Sequence, residues 1–314
     1  MSSSDCWSKK IRVLITGASG LLGRALVKGF EGHEVKGLAL NRTQDINGCS
    51  VMSADLTKFE EAEQKILEFK PDVVVHAAAE RRLDRALADK ERAEALNVTT
   101  VGKLAALCKG MKQDCFMIFI STDYVFDGTS PPYKPNAKKN PLNYYGETKC
   151  KAEEAFWATG IHGGVVRVPL LYGRVETLDE CFLSQLAANL LKASKEGGKV
   201  KVDTWQTRAP TFVDDIARAV RKLAERRQRH CSLSGTWHFS APGRLNRYQM
   251  ASEMCDILDI SKDVLETTSA EDSTRPKDAS LDATALHLMG MGDSIPFKEG
   301  AKIVIEQLKE DKLI

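Results

Sequence analysis

The chain has 314 residues, is 43% hydrophobic and 28% charged, and carries a formal net charge of +2. That length supports one large or two moderate domains around a substantial core, and the composition is that of an ordinary globular protein. The near-balanced charge removes any global reason to expect nucleic acid or an anionic membrane as partner, and no apolar run approaches the ~18–20 residues of a membrane span.

The N-terminus, Met1-Ser2-Ser3-Ser4-Asp5-Cys6-Trp7-Ser8-Lys9-Lys10, lacks the continuous apolar core of a secretory signal. The cysteines (Cys6, Cys49, Cys108, Cys115, Cys150, Cys181, Cys231 and Cys255) form no Cys-x-x-Cys pair and have no histidine at ligand spacing. Reduced thiols and a cytoplasmic location are expected, with no zinc site. The histidines form no metal-spaced pair either, and His76 is expected inside a sheet.

In chain order, residues 11–16 are a short β-branched strand, followed by a glycine motif and an amphipathic helix over 21–30. A second strand is predicted over 34–40 and a helix over 58–69, stopped by Pro71 before the strand at 73–75. Residues 86–108 read as one helix, 116–120 as a fully buried strand, 143–157 as a helix and 164–168 as a further strand. This alternation predicts an α/β fold of Rossmann type, a doubly wound parallel sheet covered on both faces. Beyond Pro169 the pattern loosens: helices are predicted over 178–193, 212–229, 248–258 and 301–312, with short strands at 200–202 and 235–239. The expected division is a cofactor-binding unit over 1–168 and a smaller α/β lobe over 169–314, partly interleaved with it. The basic run at 218–229 has helical spacing and reads as a solvated face. The proline-rich stretch 128–143 directly precedes the helix at 143–157, as the wall of an active site would.

Gly17, Gly20 and Gly23, with Ala18, Ser19, Leu21 and Leu22 between them, fall between a strand and a helix. Glycine there lets the backbone turn tightly against a pyrophosphate, whose charge the helix N-terminus stabilises. The end of the second strand selects the dinucleotide. NAD sites place a carboxylate there for the ribose 2′-hydroxyl. This chain has Leu40-Asn41-Arg42 and no carboxylate before Asp45, so Arg42, helped by Arg24, is expected to pair with the 2′-phosphate of NADP(H). Asp55 and Leu56 are expected near the adenine, and Ala77 beside the cofactor, with Arg81 and Arg82 following.

Tyr145 and Lys149, four residues apart, share a helix face. A lysine ammonium about 4 Å from a phenol favours the phenolate by roughly 4 kcal/mol at an effective dielectric of ~20. That is expected to bring Tyr145 towards working pH as an acid–base group, with Lys149 also holding the nicotinamide ribose. Thr122, at the end of the fifth strand, is expected to orient a substrate carbonyl.

These residues resemble the extended short-chain dehydrogenase/reductase superfamily. Ser121-Thr122-Asp123-Tyr124-Val125-Phe126-Asp127-Gly128, then Pro141-Leu142-Asn143 and Tyr145-Gly146-x-Thr148-Lys149, look like the signature of dTDP-4-dehydrorhamnose reductases. Four segments look more like the regulatory β subunits of methionine adenosyltransferase: 76–82 with Glu80-Arg81-Arg82, 127–133, 167–173, and Trp205-Gln206-x-Arg208-x-Pro210-Thr211. The resemblance spans about residues 11–300. It implies cofactor contacts at Ser19, Gly20, Leu21, Leu22, Leu40, Asn41, Arg42, Asp55, Leu56, Ala77, Arg81, Tyr145, Lys149 and Leu171.

For function it implies an NADP(H)-binding regulator docking on the methionine adenosyltransferase catalytic subunit. The alternative it leaves open is an active NADPH-dependent nucleotide-sugar 4-keto reductase. The sugar-stacking tryptophan of the bacterial reductases is replaced near Leu170 by aliphatic residues. The resemblance to the regulatory subunits also implies docking through a basic, aromatic C-terminal tail, and the sequence given ends at Glu310-Asp311-Lys312-Leu313-Ile314 without that pattern, which puts docking by that route in question.

Overall fold

The computed structural model describes residues 10–314; Cys6 and the N-terminal stretch discussed above lie outside the described residues. In chain order, β1 (Arg12–Thr16), α1 (Leu21–Gly29), β2 (Glu34–Ala39), β3 (Val51–Ser53), α2 (Phe59–Phe69) and β4 (Val73–His76) come first. They are followed by α3 (Leu83–Ala88), α4 (Lys90–Glu94), a π-helical turn (Ala95–Thr99), α5 (Thr100–Gly110), β5 (Phe116–Thr122), α6 (Tyr144–Ala158) and β6 (Gly164–Val168). The second half adds β7 (Leu171–Tyr172), α7 (Phe182–Glu196), β8 (Val200–Asp203), β9 (Thr211–Phe212), α8 (Val213–Arg229) and β10 (Gly235–His238). It closes with α9 (Arg247–Leu258), β11 (Leu265–Thr268), α10 (Thr284–Leu288) and α11 (Phe297–Glu310).

Seven strands form one parallel sheet in the order β10-β6-β5-β4-β1-β2-β3, the Rossmann-type arrangement expected. Its central strands are buried along nearly their whole length, with apolar runs over 13–15, 73–75 and 116–120, because both faces are covered. The two-residue period divides them: Val13, Ile15, Val73, Val75 and Ile118 pack beneath α1 and α8, against Leu26, Ile216 and Leu223. Leu14, Val74, Met117 and Phe119 face the other way, onto Ile66, Leu104 and Phe156. Late segments return to this sheet. β10 pairs with β6, and α8 lies so close to α1 that a Cβ on Gly29 would meet the Ala217 methyl at 2.9 Å. A separate core of Tyr172, Leu190, Met250, Met254, Val304 and Leu308 holds the remaining helices together, flanked by the parallel pairs β8/β11 and β7/β9.

The single helix expected over 86–108 is broken. Asp89 leaves helical geometry and caps α4 by accepting the Arg92 N–H at 2.9 Å. The π-helical turn then presents Asn97, whose amide accepts from Glu80 N–H at 2.8 Å and donates to Glu80 O at 3.0 Å and Thr148 Oγ1 at 3.1 Å. The helix expected from residue 178 starts only at Phe182. Ser184 Oγ donates to Leu178 O and Cys181 O, both at 2.9 Å, and leaves Leu178–Glu180 as a separate 3₁₀ turn. Phe212 belongs to β9 rather than to α8. His76 ends β4, buried, with Thr16 Oγ1 2.7 Å from its Nδ1. Among the described residues no helix is long and apolar enough to cross a membrane.

Candidate functional site

A cleft of about 930 Å³ runs along the carboxyl edge of the sheet, crossing the point between β1 and β4 where the strand order reverses. Gly17, Ser19, Gly20, Leu21, Leu22, Gly23, Leu40, Arg42, Asp55, Leu56, Ala77, Arg81, Thr122, Tyr145, Lys149 and Leu171 all line it. Arg82 does as well, whereas Asn41 is exposed after β2 and is not part of the lining.

At the phosphate end, Gly17 has φ +69°, and a Cβ there would stand 2.8 Å from the Ala78 backbone. A Cβ on Gly23 would lie 2.0 Å from Gly17 O, so this turn closes onto α1 only without side chains. Bare backbone opening onto a helix N-terminus fits the pyrophosphate of a dinucleotide. Asp55 sits at the opposite wall. Burial works against its charge, but Thr57 donates to Oδ1 from N at 3.0 Å and from Oγ1 at 2.7 Å and, with Arg92, holds the carboxyl below its ordinary range.

Arg42 stands where the sequence expects it, but it is already engaged. Its Nη1 donates to Glu176 Oε2 at 2.5 Å and Glu180 Oε1 at 2.7 Å, and its Nη2 to Ser19 O at 2.6 Å. Arg24 shares these partners, donating to Ser19 O at 2.7 Å and pairing with Glu180. Arg81 Nη2 donates to Glu180 O at 2.6 Å.

At the other end, Thr122 closes β5 and Tyr145 lies in the first turn of α6. That helix is started by Asn143, whose side chain accepts the Gly146 N–H at 2.9 Å. The expected depression of Tyr145 by Lys149 is not what the site produces. Tyr145 is pushed up, first by burial and then by the Asp123 carboxylate, with Arg81 and a hydrogen bond to Thr122 opposing. Its ring borders the cleft and is only half-buried, yet the protein packed around it still disfavours a phenolate. The charges that act most on that phenol are Asp123 and Arg81 rather than Lys149. Its Nζ donates to Ile120 O at 2.7 Å above the Phe119 ring, and burial brings it down to about 7, with Glu153 pulling the other way. Asp123, fully enclosed, is raised by burial to about 6 against the charge of Arg208 and the hydrogen bond from Thr122 Oγ1 at 3.1 Å. The Tyr145 phenol is therefore a protonated donor at neutral pH.

Beneath the site, Glu153 receives Arg167 in a paired contact, Nε to Oε1 at 2.8 Å and Nη2 to Oε2 at 2.7 Å, and Ser121 Oγ at 2.6 Å. The buried pair ties α6 to β6, and the Ser121 contact ties it to the end of β5.

Sequence reasoning missed three arginines on the far wall. Arg208, Arg247 and Arg275 reach the cleft from the second half of the chain. Arg208 lies over the Tyr124 ring at 5.2 Å and donates to Pro276 O at 3.0 Å. Arg247 stacks over Phe182 at 4.5 Å and is lowered to about 10 by burial. Arg208 stood within the Trp205-Gln206-x-Arg208 segment; the other two have no local motif. Glu176 and Glu180 were missed as well, since nothing near them in sequence points back across the sheet.

A seven-stranded parallel Rossmann sheet with Thr122, Tyr145 and Lys149 at its carboxyl edge defines an extended short-chain dehydrogenase/reductase. The chain belongs to the family described as RmlD substrate binding domain, whose model matches residues 11–310. It is 37% identical over 297 residues to methionine adenosyltransferase 2 subunit beta of Mus musculus, covering 93% of this chain and 86% of that protein. It is 29% identical over 266 residues to a probable low-salt glycan biosynthesis reductase, Agl14, of Haloferax volcanii, covering 83% of this chain and 85% of that one. Among solved structures, the dTDP-4-dehydrorhamnose reductase of Bacillus anthracis in complex with NADP superimposes with a TM-score of 0.78 at 25% identity, over 95% of this chain and 99% of that one. The enzyme WbmG of Bordetella bronchiseptica in complex with NAD shares the fold, with a TM-score of 0.80 at 19% identity over 98% of this chain and 96% of that one.

Proposed function

We propose that this protein binds NADP(H) in the cleft and serves in the cytoplasm as a regulatory subunit of methionine adenosyltransferase, docking on the catalytic subunit. The observation that carries this reading is the near-full-length similarity to methionine adenosyltransferase 2 subunit beta, 37% identity over 93% of the chain. In this reading residues 1–168 hold the cofactor and residues 169–314 close the cleft and meet the partner or substrate. The glycine turn, Asp55 and Ala77 hold the dinucleotide, Arg42 addresses its adenosine 2′ position, and Thr122, Tyr145 and Lys149 surround the nicotinamide end. A bound nicotinamide supplies a hydride there. Affinity purification of the tagged full chain from cells brings down the methionine adenosyltransferase catalytic subunit as a principal partner. A pull-down without it sinks the regulatory reading.

A second reading is favoured by a specific observation: the protonated Tyr145 phenol and Thr122 share their cleft with Arg208, Arg247 and Arg275. A proton donor opposite clustered guanidiniums suits reduction of a carbonyl on an anionic nucleotide-linked sugar.

The choice of dinucleotide is open to test in either case. Arg42→Asp removes a charge-assisted contact worth about 1.5–3 kcal/mol and shifts the NADP(H) to NAD(H) affinity ratio towards NAD(H) by roughly 10- to 100-fold. Fluorescence titration with both coenzymes reads the ratio. An unchanged ratio means that Arg42 does not contact the 2′-phosphate.

A further inference from the structure

The segment between β7 and α7 brings Glu176, Asp179 and Glu180 onto arginines of the sheet edge. Glu180 joins Arg24 in an inner pair whose side chains are 11% and 14% exposed, while the outer pair of Arg42 and Glu176 is about half exposed. Arg82 Nη1 lies 3.7 Å from Asp179 Oδ2. The segment is also tied to itself, since Glu176 N–H donates to Glu180 Oε2 at 3.0 Å. At the 2′ end of the cleft, therefore, two guanidiniums meet two carboxylates and the cluster is formally neutral.

We propose that Glu176 and Glu180 are specificity-determining residues for the adenosine 2′ position, competing with a 2′-phosphate for the guanidinium of Arg42. The proposal rests on the reading that the cleft holds an adenine dinucleotide.

Arg42 has committed Nη1 to both carboxylates and Nη2 to Ser19 O. Arg42 keeps only Nε–H and one Nη2–H uncommitted, so a phosphate that seeks the fork through Nη1 displaces Glu176 and Glu180, and one on the Nε side still meets a guanidinium whose charge both carboxylates share. It also arrives as an anion beside two fixed negative charges, with Arg24 and Arg42 already paired to them and Arg81 held on the Glu180 carbonyl. A free 2′-hydroxyl carries no charge and meets neither obstacle. The carboxylates thus narrow the preference for NADP(H) that an unpaired Arg42 and Arg24 would set, and this chain accepts NAD(H) more readily than its Leu40-Asn41-Arg42 sequence suggests. The same contacts make the grip on NADP(H) depend on displacing this segment.

The test is calorimetric titration of NADP⁺ and NAD⁺ into the full-length wild type, Glu176→Gln, and the double variant Glu176→Gln/Glu180→Gln. The double variant binds NADP⁺ at least tenfold more tightly than the wild type and NAD⁺ within threefold of it. Glu176→Gln, on the exposed outer pair where folding is not at stake, tightens NADP⁺ alone by threefold or more. Weaker or unchanged NADP⁺ binding in the variants means that the carboxylates position Arg42 for the phosphate or play no part, and overturns the proposal. Equal tightening of both coenzymes overturns it too. A wild type that binds neither coenzyme overturns the dinucleotide reading itself, and this proposal with it. That outcome is separable from the others, because they require a wild type that binds.

Discussion

Tyr145→Phe lowers any carbonyl reduction in this cleft by about 10²- to 10⁴-fold, the usual contribution of a positioned general acid. Phenylalanine keeps the ring and its edge contact with Tyr124, whose centroid is 6.3 Å away, and removes only the O–H. Burial and Asp123 keep that O–H protonated, so it is available to a developing alkoxide. NADPH oxidation with a nucleotide-linked ketosugar measures the loss. The same variant is then assayed for stimulation of S-adenosylmethionine synthesis, which stays within about twofold of wild type where the protein acts as a structural regulator. Loss of both activities together speaks against regulation independent of chemistry.

Arg167→Met costs about 3–5 kcal/mol of stability, because it strands a carboxylate that is itself buried. Glu153 is 2% exposed in its side chain, and without Arg167 it keeps only Ser121 and the Lys139 ammonium at 3.5 Å. Burial works to raise Glu153, but hydrogen bonds and charge from Arg167, then Ser121 and Lys139, overcome it and hold the carboxyl below its ordinary value. The sign follows. A depressed folded-state pKa contributes stability that is present above the unfolded value of about 4.3 and is lost as pH falls through the folded value. The gap between wild type and Arg167→Met is therefore full at pH 7 and closes as pH falls through that window. Urea titrations at pH 7 and at a pH below the unfolded carboxylate value of about 4.3 measure it, with Glu153→Leu/Arg167→Met as control. The double variant recovers much of the loss, since it leaves no unpaired charge inside. A single-variant loss under about 1 kcal/mol at pH 7 contradicts this account, given the penalty for an uncompensated buried charge.

Both experiments concern residues whose type was legible in the sequence but whose environment was not. Tyr145 and Lys149 share a helix face as their spacing requires, and the glycine turn stands between β1 and α1. What spacing could not convey is where a flexible amine points once the sheet is assembled. Lys149 turns to Ile120 O and burial lowers it, while Asp123, a neighbour of Thr122 in sequence, becomes the carboxylate that acts on Tyr145. The irregular turn at Ala95–Thr99 was hidden for a similar reason. Residues 86–108 have helical composition throughout, and only the Asn97 contacts to Glu80 and Thr148, 17 and 51 residues away, impose the irregular turn.

The division runs along sequence distance. Strand and helix periods, the obligatory glycines between β1 and α1, and the Tyr145–Lys149 pair are local properties, decided within a few bonds by sterics and repeat length, and the amino-acid sequence alone determined them. Partners more than a hundred residues apart were decided by tertiary structure: Glu180 on Arg24 and Arg42, Arg247 in the cleft of Tyr145, and α8 against α1. Charge and burial act through space, so an arginine such as Arg42, which reads as free in the sequence, is neutralised by carboxylates that nothing local to it announces.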